Sequence, residues 1–61
     1  MTIDTSNLQL VGVQGKQITV IIPKRTMTPD EALVHAAYLV SLAEVFTETK
    51  FEDVLAAVQN T

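Results

Sequence analysis

A chain of 61 residues has room for one domain, and a domain of that size buries only about 60% of its unfolded surface. It contains no cysteine and a single histidine, His35, which excludes disulfides, thiolate metal sites and a closed structural zinc site as staples. Packing and association are what remain. The hydrophobic fraction of 48% argues against disorder, and a net charge of −3, from four Lys+Arg against seven Asp+Glu, argues against a nucleic-acid partner.

Residues 1–7 (Met-Thr-Ile-Asp-Thr-Ser-Asn) are small and polar and are expected to form a flexible N-terminal arm; residues 8–61 form a single domain. The first nine residues lack the positive n-region of a signal peptide, which fits a cytoplasmic location. The run Leu8-Gln9-Leu10-Val11-Gly12-Val13 has strand composition, and residues 16–22 form a second run rich in β-branched side chains, ended by Pro23. Gln14-Gly15 between them predicts a hairpin. With that two-residue loop Val13 faces Lys16, Val11 faces Ile18 and Gln9 faces Val20. One face then carries Val11, Val13, Ile18, Val20 and Ile22; the other carries Leu8, Leu10 and Ile21 with Gly12, Gln17 and Thr19. A three-residue loop or a bulge near Gly12 would change the register.

Thr28-Pro29-Asp30-Glu31 is a capping box with proline at the first helical position and acidic residues in the first turn. It predicts a helix running to Val45 or Phe46. The stretch 32–46 is interrupted by His35, Ser41 and Glu44 and is shorter than the roughly 18–20 apolar residues of a membrane span, so no membrane partner is expected. On a helical wheel Ala32, Leu33, Ala36, Leu39, Val40, Ala43 and Phe46 fill one broad arc, while Val34, Tyr38 and Val45 form a second patch on the far side. Thr49-Lys50-Phe51-Glu52 repeats the capping-box pattern, and Phe51, Val54, Leu55 and Val58 make an amphipathic stripe. The expected fold is therefore α+β, an N-terminal β-hairpin followed by a helical hairpin (ββαα).

A helix apolar nearly all round, a lone hairpin and one short second helix leave more apolar surface than they cover. Completion by a homodimer or higher oligomer is the expectation, with Leu8, Leu10, Ile21, Val34, Tyr38 and Val45 as the interface. Neither catalytic residues nor cofactors are expected. His35 lies one turn after Glu31, but no nucleophile or phosphate-cradling glycine motif accompanies it, and it reads as a boundary histidine. Lys24 and Arg25 form the main basic feature and read as solvated loop charges.

Residues 17–61 resemble the ribbon-helix-helix repressors in topology, a short strand and two helices in an obligate dimer. That resemblance implies DNA contacts from alternate strand residues, here Gln17-Thr19-Ile21 or Ile18-Val20-Ile22, with Lys24 and Arg25 as the basic contacts. Neither set contains a basic residue. The phrases Ile-Ile-Pro-Lys-Arg at 21–25, Met-Thr-Pro-Asp-Glu-Ala-Leu at 27–33 and Phe-Glu-Asp-Val-Leu-Ala-Ala-Val at 51–58 resemble small uncharacterised proteins of actinobacterial phages. This second resemblance implies an accessory interaction protein of the host cytoplasm, with a host protein as a further partner.

Overall fold

Gly15 turns the chain back on itself with φ +64°, and the computed structural model, which describes residues 3–61, builds an antiparallel hairpin around it. Strand β1 is Val11–Gln14 and strand β2 is Gln17–Val20, so the loop is Gly15-Lys16, one residue later than Gln14-Gly15. The reason lies in the turn. A type I′ turn at Gln14-Gly15 needs positive φ at both residues, whereas a turn with glycine first and a negative-φ residue second follows the type II′ pattern. Only Gly15 then needs the left-handed region. The observed partners are Val11 with Val20, Gly12 with Thr19, Val13 with Ile18 and Gln14 with Gln17. Because the pairing shifts by two residues rather than one, each side chain within β1 and β2 keeps its expected face, while Leu8, Leu10, Ile21 and Ile22 lie outside the strands.

The strands are shorter than the apolar runs that contain them. Asn7 ends β1 on its N-terminal side. Its carbonyl accepts the Leu10 N–H at 3.1 Å, closing a turn, and Leu10 takes a positive φ of 49° that breaks the extended run. The Asn7 side chain then holds Val11 from outside, accepting its N–H at 2.9 Å and donating to its carbonyl at 3.0 Å. An asparagine amide thus imitates a neighbouring strand at that position. Beyond the regular ladder, Ile21 N–H still reaches the Leu10 carbonyl and Ile22 N–H the Gln9 carbonyl.

Helix α1 is Pro29–Ala43 and begins as its capping box dictates. Thr28 Oγ1 accepts the Glu31 N–H at 3.1 Å, and Glu31 Oε1 accepts the Thr28 N–H at 2.9 Å. It stops before Val45 because the last turn tightens: the Val45 and Phe46 N–H groups bond three residues back, to Leu42 and Ala43. The helix packs on the hairpin, and Ala32, His35, Ala36, Leu39 and Ala43 are half-buried. Leu33, expected on that inner arc, is 70% exposed. A helix with apolar residues almost all round does not declare which arc faces in; the hairpin decides.

Helix α2 is Phe51–Gln59 and completes the ββαα order. Its start differs from the expected Thr49 box. Lys50 is the N-cap and makes no side-chain cap, while the Thr49 hydroxyl pairs with Thr47 at 3.2 Å. The orphan Phe51 N–H is taken instead by the Glu44 carboxylate, from the end of α1, at 3.2 Å. Contact between α2 and the other elements is slight, and every residue of α2 is exposed. No helix among the described residues is long and apolar enough to cross a membrane.

Candidate interaction surface

Side-chain chemistry concentrates where the N-terminal segment crosses the start of α1. Asp4 accepts both the Ser6 N–H and the Ser6 hydroxyl, at 2.9 and 2.6 Å, and the hydroxyl bond chiefly, then the backbone one, holds its carboxyl below the usual range. The Tyr38 hydroxyl donates to the Thr5 carbonyl and ties the segment onto α1. Within the expected arm, Thr5 and Asn7 bond to the rest of the domain, whereas Asp4 bonds to Ser6 alone; residues 1 and 2 lie outside the described residues.

Between this segment and α1 runs a cleft of about 450 Å³, with Ile3, Leu8, Leu33, Val34 and Tyr38 as its apolar walls and Asp4, Asp30, Glu31, Lys24 and His35 around them. Among the expected interface residues, Leu8, Val34 and Tyr38 meet here. Leu10, Ile21 and Val45 do not line it; Ile21 and Val45 stand 68% and 73% exposed elsewhere.

The basic pair is divided. Lys24 Nζ sits 2.6 Å from Glu31 Oε2, the sole ion pair among the described residues, while Arg25 is exposed in the loop. Lys24 is also held by its backbone, whose N–H donates to Gln9 Oε1 at 3.1 Å. Glu31 therefore bridges two partners, and hydrogen bonding to Lys24, then to the Thr28 backbone, lowers its pKa. That arrangement leaves it serving the helix start rather than His35, with which it shares no hydrogen bond. No group of three or more potential metal ligands occurs among the described residues.

Three features escaped the sequence reading. Gln9 is buried, although it lies in a run read as strand; a polar residue inside Leu8-Gln9-Leu10-Val11 was the available signal. Glu44 reaches across to α2, a contact seven residues long with no local signature. Finally, Leu33, Ala37 and Ser41 form an exposed ridge along α1, flanked by Val34 and Tyr38. The outward-facing backbone groups of Ile18 and Val20 on β2 also bond to nothing among the described residues, leaving an open strand edge. Compared with family models, with curated proteins and with solved structures, the chain matches none.

Proposed function

We propose that the chain is a non-enzymatic interaction module that works as an assembly of its own copies. One observation carries this reading: Val11 is the only apolar residue buried among those described, while fourteen large apolar side chains are exposed. Apolar exposure contributes nothing to folding, since stabilisation of about 25 cal/mol accrues only for each Å² removed from water. Exposed apolar residues scattered singly are ordinary, but a chain in which they outnumber the core to this degree has its interior elsewhere. A second copy supplies one at no genetic cost, and closed two-fold dimers are the commonest such solution.

Light scattering at micromolar concentration tests the reading, with an assembled mass expected. Ile21→Asp, which loads a charge onto an exposed apolar site outside the cleft, should weaken that assembly. A monomer of 6.7 kDa that melts cooperatively would sink the proposal. A DNA mobility shift that falls steeply with salt and is lost in Arg25→Ala would replace it with the ribbon-helix-helix reading.

A further inference from the structure

The apolar stripe of α2 and the exposed ridge of α1 have the form of two halves of one interface. Phe51, Val54, Leu55 and Val58 recur at helical spacing, carry no charge, and are each 40% or more exposed. Ahead of them on α1 stand Leu33, Ala37 and Ser41 at four-residue spacing, with Val34 and Tyr38 beside them. Ridges at that spacing are what helices pack with, and the small Ala37 and Ser41 leave room for a neighbour. Within the chain the two surfaces remain apart.

The amount of exposed surface says what covers them. A compact monomer of this mass exposes about 3,900 Å² by the scaling of folded proteins, whereas this chain exposes 5194 Å². The excess, about 1,300 Å² per chain, doubles to about 2,600 Å² for two, inside the 2,000–5,000 Å² range of obligate homodimers. The Cα radius of gyration agrees: it is 12.6 Å, where a compact chain of this length has about 10.5 Å.

We infer that α2 docks through Phe51, Val54, Leu55 and Val58 onto the Leu33–Ala37–Ser41 ridge of a second copy, reciprocally, to form a two-fold dimer. This rests on the self-association proposed above and assigns its central contact to α2. Contact between α2 and its own α1 is slight. A reciprocal exchange buries both apolar faces twice over and needs no charge to be desolvated.

Leu55→Glu tests it, because α2 contributes little to the packing of its own chain. The variant is expected to halve the scattering mass to the 6.7 kDa of one chain, with the circular dichroism of the hairpin and α1 kept. If Leu55→Glu retains the wild-type mass, the α2 interface is overturned while self-association stands; if the wild type itself is monomeric, both fall. Should the variant unfold, mixed samples of ¹³C-labelled and unlabelled wild type decide the matter. Intermolecular NOEs between α2 methyls and Leu33 or Ala37 support the contact, and their absence in an assembled sample overturns it.

Discussion

Gln9 is 7% exposed, and its amide oxygen accepts the Lys24 N–H at 3.1 Å while its nitrogen lies 3.8 Å from Met27 Sδ. One side chain thereby fastens both ends of the connection between the hairpin and α1. A hydrogen bond of this kind contributes about 0.5–1.5 kcal/mol net, so Gln9→Met, which keeps volume but removes the acceptor, should destabilise by that amount. Urea denaturation measures it, and faster hydrogen exchange at the Lys24 amide would locate the loss at the predicted bond. Unchanged stability would mean that the connection is held by something other than Gln9. The sequence hides this residue because burial of a glutamine depends on a loop fifteen residues away. Asn7 is different in kind: its bonds to Val11 and Leu10 are local, and asparagine is the residue type that makes them.

Legibility at the scale of elements follows the same division between local and distant causes. The start of α1 was readable to the residue because Thr28 and Glu31 satisfy one another within one turn. The start of α2 was not, since the Thr49 hydroxyl has a competitor in Thr47 and the Phe51 N–H is taken by Glu44 from the end of α1. The hairpin was readable from Gly15, its loop position only to within one residue. For α1 the wheel found apolar arcs but not their orientation, so Leu33 was placed inward and stands outward. The capping box also makes a pH prediction. Glu31 is held below its ordinary pKa by Lys24 first and the Thr28 backbone second, so its stabilising share is present above the unfolded-state pKa. That share is lost as the pH falls through the lowered folded-state value. Denaturation midpoints followed downward through the carboxylate range should therefore decline, and Glu31→Gln, which has no proton to gain, should show a shallower decline that meets the wild type at the acid end. Parallel curves would show that Glu31 does not sense the fold.

For the molecule as a whole, the proposed association adds its free energy to that of a hairpin and α1 that each copy folds by itself. A dimer that unfolds directly to two chains has a stability set by concentration as well as by contacts. Each tenfold rise in protein then adds about 1.4 kcal/mol per mole of dimer, and spread over the unfolding entropy of two 61-residue chains this raises Tm by about 5 °C. Calorimetry across a hundredfold range of concentration should resolve that shift easily. A Tm that does not move across the range would mean that the single chain holds itself together with Val11 and its half-buried neighbours alone. The same scan separates the two kinds of apolar surface. Ile21→Asp alters an exposed site away from the α1 ridge and should lower Tm while keeping its slope with concentration. Leu55→Glu should abolish the slope, because the term it removes is the one that couples the fold of one copy to the presence of the next.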